Sequence, residues 1–89
     1  MRSIVTAKRF ERDLKKAKKR GKNLDKLFEL VDKLCADEPI EVRHRPHALT
    51  GNWKPFWDLH IEPDWLLIYE VTEEEVYLYR TGSHADLFG

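Results

Sequence analysis

The chain has little of what marks secreted, membrane-spanning or disordered proteins. Its single cysteine, Cys35, excludes an internal disulfide, and a lone thiol fits a reducing cytosol. The longest uninterrupted apolar run is residues 65–69, far short of the roughly 20 residues that span a bilayer. Arg2, Lys8 and Arg9 stand where a secretion signal would carry its apolar segment. A cytoplasmic protein with no membrane contact is therefore expected. Internal repeats, low-complexity tracts and linker-like shifts in composition are missing too. So are paired cysteines and any His-x-x-x-His spacing, so the pattern calls for no metal and no other cofactor.

What is present belongs to a small globular protein. The 89 residues, 42% hydrophobic and 36% charged, predict one domain over residues 1–89 with a modest core. Cys35 falls on the apolar side of a predicted helix and reads as a core residue. The net charge of zero hides a division: residues 1–45 hold 14 Lys/Arg against 8 Asp/Glu, and residues 46–89 hold 2 against 8. The basic bias is steepest in residues 8–22, where Lys8, Arg12, Lys15, Lys16 and Lys19 lie in one segment. Such a patch suits a polyanion, nucleic acid foremost, and its plain structural reading is a solvated helix face.

Residues 3–6 read as a strand. Ala7, Phe10, Leu14 and Ala17 then recur at helical spacing, with Thr6 as the expected N-cap and Gly21 ending the helix in the left-handed region. Asn23 is the expected cap of a second helix with a broader apolar stripe (Leu24, Leu27, Phe28, Val31, Leu34, Cys35), which stops before Pro39. The two form a hairpin. Residues 40–55 read as loop. Residues 57–61, 65–71 and 76–81 read as strands joined by short turns, hence a meander, and residues 82–89 carry no predicted element. The expected architecture is α+β: a helical hairpin on one face of a twisted, mostly antiparallel sheet of about four strands. Trp57 and Trp65 are expected in the core.

Proton-active side chains gather in the second half. Asp58 and His60 lie two apart on a predicted strand, so both leave one face while Leu59 and Ile61 leave the other. His84 follows the third strand. Neutral imidazoles and carboxylates are the groups that move protons near pH 7.

Taken in order, the strand, the basic hairpin and three runs resemble a YafQ-type toxin of the RelE/ParE superfamily over nearly the whole chain. The runs are His-Ala-Leu-Thr-Gly-Asn-Trp at 47–53, Trp-Asp-Leu-His-Ile-Glu-Pro-Asp-Trp-Leu-Leu-Ile-Tyr at 57–69, and Arg-Thr-Gly-Ser-His-Ala-Asp-Leu-Phe at 80–88. The resemblance implies a RelE-like fold and the toxin of a type II toxin–antitoxin pair: a ribosome-associated endoribonuclease that cleaves mRNA. It also implies a cognate antitoxin, and contact with operator DNA only through the antitoxin complex. The family's catalytic set would fall on His47, Asp58, His60, Asp64, His84 and Phe88; His44 has no counterpart in it. Other branches of the superfamily lack these histidines, so the alternative is a non-catalytic nucleic-acid or protein-binding module of the same fold, including a gyrase-inhibiting toxin.

Metal-free RNA cleavage needs a base for the 2′-OH proton, an acid for the departing 5′-oxygen, and positive charge near the phosphoryl group. His60 is the preferred base, with Asp58 or Asp64 orienting it, and His84 the preferred acid; Asp64 itself is a second candidate for the base. Arg80 is expected to hold the phosphate in its guanidinium fork, with Lys54 and the lysines and Arg12 of residues 8–22 binding RNA. His47 would hold a phosphate or orient another group. Phe88 is either an anchor for the tail or a stacking platform for a base. The structural readings are a solvated strand histidine for His60, a turn-capping histidine for His84, and a hairpin-turn aspartate for Asp64.

Overall fold

A computed structural model describes residues 1–89. Strand β1 (Ser3–Thr6) leads into helices α1 (Lys8–Lys19) and α2 (Leu24–Cys35), followed by β2 (His47–Ala48), β3 (Trp57–Glu62), β4 (Trp65–Val71), β5 (Glu75–Gly82) and a short helix α3 (His84–Phe88). The strands form one five-stranded sheet in the order β1-β5-β4-β3-β2. Only β1 and β5 run parallel; the other pairs are antiparallel. The expected α+β arrangement holds. No helix is long and apolar enough to cross a membrane.

Local chemistry explains the helical hairpin. After α1, Gly21 takes φ +81°, which lets Lys22 N donate to Ala17 O at 3.1 Å and Gly21 N to Lys18 O at 3.0 Å, closing the helix with a Schellman motif. Asn23 then caps α2 by accepting from Asp25 N at 3.0 Å. The expected Thr6 cap is not made. Thr6 is still a strand residue paired with Leu78, its hydroxyl donates to Glu11 Oε2 at 2.8 Å, and Ala7 stands at the helix start without a capping side chain.

Both helices cover one face of the sheet. Phe10, Leu27 and Val31 meet Leu59, Ile61, Trp65, Leu67, Val76 and Leu78 there, with Cys35 in the same core. The other face carries a smaller cluster in which Leu66 and Ile68 are covered by Leu87 of α3 and flanked by Leu49, Trp53, Phe56 and Tyr79. Trp65 is buried as expected. Trp57 is not, at 43% exposure: it opens β3 at the margin of the core, in an open groove with Leu34 at the end of α2, Tyr69 and Val71.

Three further corrections concern short elements. The loop read over residues 40–55 contains two 3-10 turns (Val42–His44 and Gly51–Trp53) and the two-residue β2, a fifth strand where about four were expected. The tail, expected to carry no element, folds as α3, which Ser83 and Asp86 close with a reciprocal capping box.

One polar knot ties the layers together. Asp13 of α1 accepts from Arg80 Nε at 2.6 Å, Arg80 Nη2 at 3.1 Å and Thr81 N at 3.2 Å. Thr81 Oγ1 in turn donates to Leu66 O at 2.7 Å and accepts from Trp65 Nε1 at 2.9 Å. The Arg80 and Asp13 side chains are only 16% and 14% exposed, so removing one partner strands a buried charge, which costs about 3 to 5 kcal/mol. Asp13→Ala should therefore lower the free energy of unfolding in urea by about 3 kcal/mol. Lys33→Ala removes only an exposed 3.9 Å pair with Glu41 and should cost less than about 1 kcal/mol.

Candidate active site

Short-range pairing assembles the site on the sheet face opposite the helices. Although β2 has two residues, its register sets His47 opposite Asp58, where cross-strand side chains touch. His47 Nδ1 lies 2.8 Å from Asp58 Oδ1 and also 3.1 Å from Arg45 O. The aligned acceptor for the Nδ1 proton is Arg45 O, so the buried Asp58 Oδ1 stands within ion-pair distance but has no well-aligned hydrogen bond of its own. On the same face of β3 comes His60. A register shift between His60 and Glu62 disturbs the ladder there, a device that redirects side chains. The Pro63-Asp64 turn follows. His84 begins α3, where Asp64 Oδ1 accepts from its backbone N–H at 2.9 Å and its ring Nδ1 at 2.7 Å. The rings of His60 and His84 are 5.4 Å apart.

Every imidazole in this region is held at Nδ1. The oxygens facing His44 (His60 O, 2.6 Å), His47 (Arg45 O) and His60 (Pro63 O, 3.3 Å) are carbonyls that only accept, and Asp64 is an ionised acceptor. Each Nδ1 is therefore the donor. Nε2 is left free on each ring, an acceptor when the ring is neutral and a donor when it is charged.

The expected residues thus divide. His47 with Asp58, and His84 with Asp64, form carboxylate–imidazole pairs, and His60 sits between them. Neither carboxylate orients His60, as the sequence reading had it; the Pro63 carbonyl does. Arg80 gives its fork to Asp13 on the helix side of the sheet rather than presenting it to a phosphate. Lys8, Arg12, Lys15, Lys16 and Lys19 are exposed on α1, which packs on the other face of the sheet, with Lys16 reaching round to Asp86 of α3 at 3.6 Å, and Lys54 is exposed in the loop before β3. Leu87, not Phe88, anchors the tail: Leu87 is 7% exposed and Phe88 44%. Phe88 rests edge-on against Trp53 at 5.1 Å, leaving a face open.

Sequence reasoning missed two contributors. His44, buried, bonds the backbone of His60, and Asp86 fixes α3 to α1 through Arg20 (2.6 Å) and Lys16 (3.6 Å). His44 gave no signal in a segment without period. The Ser83–Asp86 spacing was a capping-box clue, with Asp in place of the usual Glu or Gln.

Residues 2–89 match the family model of YafQ, a bacterial toxin of type II toxin-antitoxin systems. The chain belongs to the YafQ toxin family. The mRNA interferase toxin YafQ of Escherichia coli strain K12 is 40% identical over 89 residues, which cover 99% of this chain and 97% of that protein. The toxin in the crystal structure of the E. coli DinJ-YafQ complex superposes with a TM-score of 0.90 at 40% identity, over 99% of this chain and 98% of that one. A metal-bound toxin from Helicobacter pylori gives 0.92 at 38% identity, over 99% and 100%.

Electrostatics differ among the carboxylates of this YafQ-family site. Burial pushes the Asp58 carboxyl up, opposed by the positive charge that His47, His60 and His84 can carry. The backbone N–H and then the ring of His84 hold Asp64 below the usual range. Arg20, then the Ser83 N–H, hold Asp86 far below it. Tyr69, buried, is pushed up to about 12 and is no acid at neutral pH.

The signs follow from proton linkage. A lowered carboxyl stabilises the fold above the ordinary aspartate range and loses that contribution on acidification, whereas Asp58 favours the fold while protonated and loses its contribution as pH rises. Asp86→Asn should accordingly be less stable than the parent at pH 7. The gap should narrow as the pH falls from about 5 to about 3, checked by urea denaturation at both ends of that range.

Proposed function

We propose that this chain is the mRNA-cleaving toxin of a toxin–antitoxin pair, acting by metal-independent acid–base catalysis at the His60–His84 cluster. The observation that carries the reading is the pair of imidazole rings 5.4 Å apart, each fixed at Nδ1 with Nε2 free. His60, held by a neutral carbonyl, serves as base, and its Nε2 takes the proton of the 2′-OH. The 2′-oxygen attacks phosphorus, the bond to the 5′-oxygen breaks, and His84 returns a proton to that oxygen. The products are a 2′,3′-cyclic phosphate and a 5′-hydroxyl end. Asp64 suits His84 to this duty, since a carboxylate on Nδ1 compensates a ring that carries charge.

His47 with Asp58 supplies a third imidazole beside the phosphoryl group, and the open face of Phe88 supplies a stacking surface for a base. The exposed basic face of α1, on the far side of the sheet, is available to ribosomal RNA while the histidine face meets mRNA, both in the cytoplasm. The likeness to the toxin of the E. coli DinJ-YafQ toxin-antitoxin complex supports a cognate antitoxin as partner; in the proposal that antitoxin holds the toxin inactive and alone brings it to operator DNA.

Cleavage should persist in chelator, the decisive control given the metal-bound relative, and should follow a bell-shaped pH profile. His84→Ala should lower the single-turnover rate by about a hundredfold or more while antitoxin affinity changes little. An RNA lacking the 2′-OH at the cut site should resist. Normal cleavage of that RNA would overturn the assignment of nucleophile, base and acid together. A toxin that is harmless when expressed alone in bacteria would remove the toxin reading itself.

A further inference from the structure

Beside the two catalytic imidazoles lies a cavity of about 440 Å³, walled by His60, His84, Pro63 and the segment Arg43-His44-Arg45. No role falls to that segment in the chemistry above. Its construction is nonetheless specific. His44, 9% exposed, turns inward and donates from Nδ1 to the backbone carbonyl of His60 at 2.6 Å. That bond fastens the 3-10 turn Val42–His44 to the catalytic strand, and the neighbouring arginines flank the anchor.

Arg45 takes φ 46° and ψ 52°, a left-handed conformation that costs a non-glycine residue energy and persists only where the surroundings enforce it. Here the reversal lets His44 point inward while His47, two residues on, meets Asp58. It leaves Arg45 at the cavity with no acidic partner. Arg43 touches only the exposed Glu41, at 3.1 Å. The one acidic side chain on the cavity wall, Glu62, is already neutralised by Lys22 at 2.8 Å and Lys26 at 3.0 Å, and its carboxyl is held below the usual range by them. The cavity is therefore cationic and open beside the reacting groups.

We infer that this cavity is a nucleotide subsite, in which Arg43 and Arg45 grip the phosphate that adjoins the scissile one on the RNA strand. A single strand crossing the His60–His84 pair must continue somewhere, and guanidinium forks are the side chains best matched to a phosphodiester. The inference deepens the proposed function and rests on it. It also explains why the arginines sit on a turn bonded to His60: one hydrogen bond sets the distance between phosphate grip and catalytic base.

The experiment compares the parent with the Arg43→Gln/Arg45→Gln variant, using RNA that carries a 2′-deoxy sugar at the cut site so that binding is read without cleavage. By fluorescence anisotropy the variant should bind about tenfold or more weakly. Its slope of log affinity against log salt should shrink by about 0.7, for the one phosphate no longer neutralised on a single strand. Shortening the RNA from one end should abolish the difference between parent and variant; shortening it from the other should not. With cleavable RNA, KM should rise while the single-turnover rate at saturation stays near that of the parent. Equal affinity of both proteins for every RNA, or a loss that persists however the RNA is shortened, would overturn the subsite. So would intact RNA binding with weakened antitoxin binding, which would assign the cavity to protein contact. A parent that neither binds nor cuts RNA would instead remove the proposed function, and the subsite with it.

Discussion

The carboxylate of Asp13 is the junction on which the molecule depends. It reaches from the inner side of α1 into the sheet and satisfies both arms of Arg80 and the backbone of Thr81. Thr81 passes the constraint on to Trp65 and Leu66 of the neighbouring strand. The last residues of β5 are therefore held from above by a helix and from the side by β4, just before the chain turns into α3. Asp86, bonded to Arg20 on the same helix, holds the other end of that turn. His84 lies between these clamps, and Asp64 aims its ring by accepting from Nδ1 at 2.7 Å.

The sheet also separates two kinds of chemistry. One face carries the large apolar core beneath helices whose outward surface is strongly basic; the other carries a small apolar cluster, a row of imidazoles and a buried carboxylate. Asp58 is the costly member. Its buried Oδ1 lacks a well-aligned partner, and an unsatisfied polar atom of this kind costs on the order of 1 to 3 kcal/mol. The larger core on the far face offsets such a cost.

Much of this was legible in the sequence because it depends on period. The alternation of Asp58 and His60 with Leu59 and Ile61, the stripes of α1 and α2, and the glycine at 21 and asparagine at 23 each carry a local physical cause, and the structure has them as read except for Phe28, which leaves the α2 stripe at 38% exposure. What escaped has no period to read. A strand of two residues, His47–Ala48, exists only because β3 offers it an edge. Thr6 could not reveal that it stays in the sheet until its partner Leu78 was known. Trp57 resembles any core tryptophan until it is seen at the open margin of the core, beside only the last turn of α2. Arg80 has a fork that fits a phosphate and a buried aspartate equally, and its partner lies 67 positions away. For the site, the residue types were visible, while the pairing of each imidazole with its oxygen was a matter of tertiary placement.

The parallel pairing of β1 with β5 has a consequence for how order is acquired. Ser3 lies beside Glu75, and Ala7 N donates to Leu78 O at 3.0 Å, so the sheet closes only when segments about seventy positions apart have met. Contacts of such separation must first overcome loop-closure entropy, and they reward it late. The hairpins of β3 to β5 can pair locally, yet without α1 and α2 their apolar face is bare and the clamps on α3 are missing. Half-folded chains thus hold no arranged cluster of imidazoles. The cluster is therefore a property of the whole cooperative unit, resting on contacts made across nearly the full length of the chain.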